Sequence, residues 1–507
     1  MKNASYRWAA RIILAALLAV LLAPAGTVFA QDDTPGFAVP LDHPAAPFLE
    51  SVKYATAQGA TAEWRKMEGV AVDEVNNRLY IAVSKIANGM SDQEGNIQLA
   101  ENACGAVYMA ELNDNYDISN LTAVVVGGPY DETDEDNPCP VDAIANPDNL
   151  YVDANGVLWI GEDTSKHANN VLWTWDGSEL KRFATVPAGA EVTGLRVEKD
   201  GTVFMNVQHP DGNNFYPYNR GIVGVINGFK AGDEFTPIPV PEGDDMHRVV
   251  VAAGEYQPLG RVGEAVPNAF DGARFGQIRM ADGSPMMCND PDGNMYLPID
   301  STGAEGYLYT NYECVPSMVS KLYIRQNADG GWDVLEGEMD DMKSIKGSWD
   351  LCNASVTPWN TGLTSEEYPP DVNAEWVEAF SPMSELLGQQ ANPYDYGYLI
   401  ELVPDSIGTE MAKHYAMGRF SHELAVVMPD GKTVYNGDDG KDKLLWKFVA
   451  DEAGDLSSGT LYAAKVTQAD AENGGSFDLE WIELGSGNDD DLYEVIREID
   501  AQLPASE

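Results

Sequence analysis

A short apolar run, a polar turn and a second apolar run recur along this 507-residue chain, and that repeat restricts the fold more than any other feature. Copies run from Glu68 to Val83, Asp148 to Asp163, Glu191 to Pro210 and His422 to Asp439, with a weaker one from Asn289 to Asp300. The turns read as Asn76-Asn77, Asn155-Gly156, Asp200-Gly201, Asp292-Gly293 and Asp430-Gly431, residue types that tolerate φ > 0 and suit tight hairpins. The flanking runs are rich in Val, Tyr, Trp and Phe, which fit strands. Further strands are expected at Cys104–Leu112, Val171–Trp175, Gly221–Ile226, Val319–Ile324, Tyr398–Val403, Leu444–Phe448 and Gly459–Val466. Helical periodicity is limited to stretches such as Asn373–Phe380 and Asp490–Gln502. Many hairpins recurring with long insertions predict an all-β chain, a β-propeller of six blades with long inserted loops and a few short helices. An apolar fraction of 44% is enough for such a core.

The repeat carries a second pattern. Each copy opens with an acid or amide just before its first strand: Glu68, Asp148-Asn149, Glu191 and Glu423. In a propeller the first strand of each blade lines the central channel, so these positions meet at one end of it. Carboxylates held that close repel by a few kcal/mol at an effective dielectric of about 20. Bound cations relieve this, and hard cations such as calcium take carboxylate and amide oxygens. A second set follows the second strand of each copy: Glu162-Asp163, Gln208-His209 and Asp438-Asp439. The alternative for each acid is that it caps its own hairpin; four copies in phase favour the cations.

Residues 1–30 read as a Sec-type signal peptide. Lys2, Arg7 and Arg11 precede an apolar run from Ile12 to Ala23, and Val28-Phe29-Ala30 sets cleavage after Ala30. The run is shorter than the roughly 20 residues of a membrane span, and no later segment is long and apolar enough. Residues 31–507 are then expected as a single propeller, periplasmic or secreted, and monomeric. The formal charge of −50, falling to about −53 after cleavage, excludes nucleic acid and anionic membrane as partners. Five cysteines remain, of which Cys104/Cys139 and Cys288/Cys314 are natural neighbours for disulfides; that leaves Cys352 alone.

The stretch from Cys352 to Tyr368, CNASVTPWNTGLTSEEY, resembles the signature C-A-G-G-x-T-P-W-G-T-W-L-T-C-E-E of PhoX-type secreted alkaline phosphatases. Gly306–Cys314 resembles the family's G-x-L-x-x-N-H-E-Y, and Gly418–Glu423 its G-R-F-x-H-E. Pro147–Leu150 with Glu162-Asp163, and Glu191–Gly194 with Asn206–Pro210, are similar to its P-D-N-L…E-D and E-x-T-G…N-x-Q-H-P. The motif order is circularly permuted relative to the family, and Ser365 stands at the family's second cysteine. Lys66, beside Arg65, stands where the family has a phosphate-binding Arg two residues before a metal-binding Glu.

The resemblance implies a buried cluster of iron and calcium that hydrolyses phosphate monoesters, with small-molecule phosphate esters as substrates. It implies Cys352 as an iron ligand, and Glu68 and Glu423 as ligands of the cluster. Glu313, Asp148, Glu162, Asp163 and Glu191 are candidates for iron or calcium, and Lys66 and Asn289 for phosphate oxygens. Two other readings stand beside it: a calcium-dependent lactonase, suited by Glu68-Gly69-Val70 before an Asn-Asn turn, and a non-catalytic calcium-binding propeller. A serine hydrolase and a Walker-type phosphate loop are excluded by the lack of their motifs.

Overall fold

A computed structural model describes residues 38–372, 381–405 and 408–500. The signal-peptide region and the expected helix Asn373–Phe380 lie outside them. Among the described residues the strands form six antiparallel blades whose four main strands each come from one contiguous stretch of chain, and Val250–Val251, from the third stretch, adds a fifth strand to blade 2. The innermost strands are Met67–Asp73, Pro147–Val152, Glu191–Val197, Pro291–Pro298, Leu351–Val356 and His422–Val427. They pack side by side in that order, and the sixth returns to the first, so the sheets close into a propeller.

Among the described residues no blade is shared between the two ends of the chain. The seam is instead made along an outer edge. The sixth blade continues from Asp455–Asp470 into Ser476–Asn488, which pairs with the outermost strand of blade 1 through Leu121↔Phe477. A nine-stranded sheet results, spanning blades 1 and 6. Trp64 packs edge-on against Tyr108 and Phe477 beneath it.

Blades are buried on both faces by their neighbours, so their strands are apolar almost continuously. Leu79, Tyr80, Ile81, Ala82 and Val83 are all buried. At about 25 cal/mol per Å2, each large side chain so buried contributes roughly 1.5–3 kcal/mol. Aromatic residues fill the wedges between blades, as where Trp159, Phe183 and Phe229 meet.

The closing helix Asp489–Asp500 starts with three acids, favourable at a helix N-terminus, and carries Arg497 in its last turn. It buries Leu492, Ile496 and Ile499, spaced along one face, in the same core as Phe48 and Tyr394. Disulfides join Cys104 to Cys139 and Cys288 to Cys314, and Cys352 is free and buried. None of the described helices is long and apolar enough to cross a membrane.

One hairpin departs from expectation. Asp292-Gly293 is not a turn but lies inside the innermost strand of blade 4, which pairs with Glu305–Tyr312. The glycine serves packing: a Cβ on Gly293 would sit 2.5 Å from the Ala354 backbone nitrogen of the next blade. Gly69 is squeezed in the same way against the Asp148 carbonyl.

Candidate metal centre

The innermost strands share a local irregularity. In blades 1, 2, 4, 5 and 6 the register slips just after the first pair, so two residues of the inner strand oppose one of its partner. Met67 pairs with Val83, for example, but Val70 pairs with Ile81. Such a bulge re-aims the side chain that follows the first pair. Those residues are Glu68, Asp148, Asp292, Cys352 and Glu423. In blade 3 the slip falls later, after Thr193, and Glu191 opens the strand.

A second backbone feature locks the partner strand. The N–H groups of Ser84, Asp163, Glu313, Glu367 and Asp439 donate to the carbonyls of Lys66, Asn146, Asp290, Asp350 and Ser421, each two residues before the bulged position. Four acids thus form a second ring above the first. Alternation along a strand sends their predecessors the other way. Glu162 accepts from the Ala145 and Val171 N–H groups and the Trp173 indole, and contacts His167 at 2.9 Å. Glu366 and Asp438 are likewise engaged within their own blades, by Lys413 and by the Trp446 indole. Glu162 thus braces blade 2 and is not among the acids grouped at the channel.

Three groups of ligand atoms lie within 4.8 Å of one another. Glu68, Asp148 and Asp163 form one; Asp292, Glu313 and Cys352 a second; Cys352, Glu367 and Glu423 a third. The two sets that share Cys352 make one continuous constellation, with Cys352 Sγ 2.9 Å from Glu423 Oε1. Cys288, Asp290 and Cys314 also cluster, but their sulfurs are joined in a disulfide. Glu191 holds His209 Nε2 at 2.9 Å and stays outside these sets.

The electrostatics are those of a site built for cations. Burial, reinforced by the neighbouring acids, pushes the carboxyls of Asp148, Glu191, Glu313, Glu367 and Glu423 well above the usual range. Burial raises Glu68 too, against the pull of Lys66. Burial lifts Asp292 to about 7, opposed by a hydrogen bond from Cys352. The Cys352 thiol is also driven up, by burial and then by Asp292 and Glu423. Buried oxygens of Glu68, Asp292 and Asp439 accept no hydrogen bond among the described residues. A soft sulfur beside several hard oxygens suits a transition metal next to calcium.

Lys66 sits at the rim with a left-handed backbone (φ 52°) and pairs with Glu68, with Asp163 at 4.0 Å. Burial pulls its ammonium down, but Glu68, Asp439 and Asp163 outweigh that and keep it protonated. Asn289 uses its side-chain oxygen to accept the Gly221 N–H at 3.0 Å, which anchors the loop entering blade 4.

Two ligand candidates escaped the sequence reading: Asp292 and Glu367. Asp292-Gly293 repeats Glu68-Gly69, which was the available signal. Glu367 and Asp439 are the second members of acidic pairs, and strand alternation separates each from its partner.

The model of the family described as alkaline phosphatase PhoX matches residues 43–211 and 320–504. The chain belongs to the PhoX alkaline phosphatase family. The match takes in Glu68, Asp148, Cys352, Glu367 and Glu423, while Asp292 and Glu313 lie between the two matched segments. No curated protein matches the chain. Solved structures resemble it remotely. The Kuenenia stuttgartiensis hydrazine synthase is 12% identical with a TM-score of 0.35, covering 80% of this chain and 77% of that one. The Dos1 propeller is 10% identical with a TM-score of 0.33, covering 84% and 94%. A Xanthomonas campestris gluconolactonase is 13% identical with a TM-score of 0.27, covering 60% and 85%.

Proposed function

We propose that this PhoX-family chain is an exported phosphatase that hydrolyses phosphate monoesters at an iron–calcium centre in the mouth of the propeller channel. The observation that carries the reading is the free, buried Cys352 thiol set among Asp292, Glu313, Glu367 and Glu423. Calcium has no use for sulfur, so a lactonase or a simple calcium-binding propeller leaves that residue unexplained.

Cys352 with Asp292, Glu313, Glu367 and Glu423 would hold iron. Glu68, Asp148 and Asp163 would hold calcium, and Glu191 would support the set through His209. Bound metals supply Lewis-acid polarisation of phosphoryl oxygens and an activated oxygen nucleophile. Lys66 meets the charge that builds on the phosphoryl oxygens, and its fixed backbone keeps the ammonium at the rim. The Asn289 amide has only its amino end to offer an oxygen. The buried walls keep bulk water from screening these charges. Contiguous blades let the motif order be shifted around the ring without changing which residues meet.

Elemental analysis of tag-free protein tests this, with phosphate-ester and lactone hydrolysis measured side by side. Iron with calcium and phosphate release is the expected result. Calcium alone with lactone opening would replace the reading by the lactonase, and calcium with neither activity by the binding module.

A further inference from the structure

We propose that Tyr368 forms the subsite for the organic half of the ester and selects leaving groups that carry a flat ring, as in aryl or nucleoside phosphates, over small alkyl groups. This rests on the phosphatase reading above.

Tyr368 follows Glu367 directly, and its hydroxyl donates to the Asp439 carboxylate. The hydroxyl end therefore lies among the candidate ligands, yet the residue is 47% exposed. The ring bridges the acids and the solvent. Its backbone is left-handed, with φ 42°, a region that bulky side chains avoid. Two further bonds hold it there. Its N–H donates to Ser421 Oγ at 2.9 Å, and its carbonyl accepts from the Trp349 indole at 2.9 Å. The corresponding residues of the other blades are Lys85, Thr164, Pro210, Cys314 and Gly440, none of them aromatic. The ring is thus an addition to the repeat, fixed at some backbone cost.

The Lys66 N–H donates to the Gly440 carbonyl at 3.0 Å, next to Asp439, so the ring stands on the lysine's side of the acids. Asn206 donates to the Asp292 carbonyl, Asn294 donates to Asn206 Oδ1 and to the Gly194 carbonyl at 2.9 Å each, and Thr310 donates to Asn294 at 2.7 Å. These side chains are buried and fill the seam between blades 3 and 4 beneath Asp292. An ester whose phosphoryl group reaches Lys66 must extend its organic group outward, past the exposed ring. Flat groups gain there by stacking, and small alkyl groups do not.

The test compares 4-nitrophenyl phosphate with glycerol phosphate as substrates, and phenylphosphonate with methylphosphonate as calorimetric ligands, in metal-loaded wild type, Tyr368→Leu and Tyr368→Phe. Wild type should bind phenylphosphonate the more tightly. Tyr368→Leu should lower the aryl-to-alkyl ratio of kcat/KM by about 3- to 10-fold, mainly through KM, with the phosphonate ratio following. Tyr368→Phe keeps the ring and should keep both ratios, while both rates fall together because Asp439 has lost its donor. Equal phosphonate affinities in wild type overturn the assignment without any variant. So does an unchanged ratio in Tyr368→Leu, or a Phe variant that loses the ratio as Leu does. Phosphate release from neither ester overturns the phosphatase reading itself, whereas release without ring preference overturns only the role of Tyr368.

Discussion

Cys352 donates its thiol hydrogen to Glu423 Oε1 at 2.9 Å, across the boundary between the fifth and sixth blades. Both groups are buried, and burial with the Asp292 and Glu423 carboxylates raises the proton affinity of the Cys352 thiol. A thiolate is tolerated in such a setting once a cation shares the site.

Replacing Cys352 with Ser should remove the visible absorption of a thiolate-bound iron and lower the iron content. Phosphate release should fall about 100-fold or more. Absorption spectroscopy with elemental analysis reads this directly. Cys104→Ala should behave differently, keeping its metal while losing about 2–4 kcal/mol of stability. Full colour and iron in the Cys352→Ser protein would falsify the ligand assignment.

Stripping calcium should lower both melting temperature and activity. In the chelated protein burial holds the folded-state pKa values of Glu68, Asp148, Asp292, Glu313, Glu367 and Glu423 above their unfolded ones. Their stabilising share is therefore present at low pH and lost as pH rises through the raised values, Asp292 near 7 among them. The chelated protein should melt lower at pH 8 than at pH 5, and calcium should restore stability most at the higher pH. Calorimetry across that range, with and without calcium, measures it.

Neighbouring acids should separate cleanly. Glu162→Gln breaks a buried set of bonds with His167 and Trp173 and should cost about 3–5 kcal/mol, with the metal content per folded molecule unchanged. Asp163→Asn should leave the melting temperature of the chelated protein nearly intact and lower calcium affinity. Denaturant unfolding paired with calcium titration distinguishes the two.

Removing the ammonium of Lys66 should weaken phosphate binding. Lys66→Ala should raise KM about 10-fold or more and relieve competitive inhibition by inorganic phosphate, and Lys66→Arg should recover most of both. Steady-state kinetics with phosphate as inhibitor gives both numbers.

A separate pH effect belongs to the chain's C-terminal helix. His414 bridges Glu401 at 3.3 Å and Asp489 at 3.0 Å, and Asp489 starts that helix. Burial lowers the imidazole pKa, but the hydrogen bonds to Asp489 and Glu401 outweigh it and raise it to about 9. A raised value stabilises fully below the unfolded pKa of about 6.5, and the effect is lost as pH climbs through 9. On the order of 3 kcal/mol should disappear across that window. Hydrogen exchange of residues 489–500 at pH 6 and pH 10 should show the helix loosening, and His414→Gln should flatten the difference.

Much of this architecture was legible beforehand because hairpins announce themselves locally. Val171–Trp175 falls where alternation and aromatic content put it, and the Asn155-Gly156 turn is where its φ > 0 residue requires. The disulfide neighbours were legible too. What the residues alone did not reveal is the shared bulge, since one extra residue per inner strand leaves no mark on composition or period. That slip decides which side chain faces the axis. It turns Asp292 from an apparent turn residue into a ring member. Alternation on the partner strand then sends Glu367 and Asp439 to the channel and Glu366 and Asp438 away from it. Asn289 was placed at the site by likeness of sequence, and the Gly221 bond gives it an anchoring duty that no pattern announces.

The edge seam between the first and last blades bears on how the finished molecule comes into being. Glu68 and Lys66 are synthesised early, and Glu423 and Asp439 late, more than two thirds of the chain apart. They are neighbours because the first and sixth inner strands pack together, an arrangement that the pairing of Ser476–Asp478 with Asn120–Thr122 fastens. Until those strands meet the early triad of Glu68, Asp148 and Asp163 can gather an ion, while the thiol-bearing half lacks its last partners. Ions bound there would then act as a clasp, and loading would be the closing act of maturation.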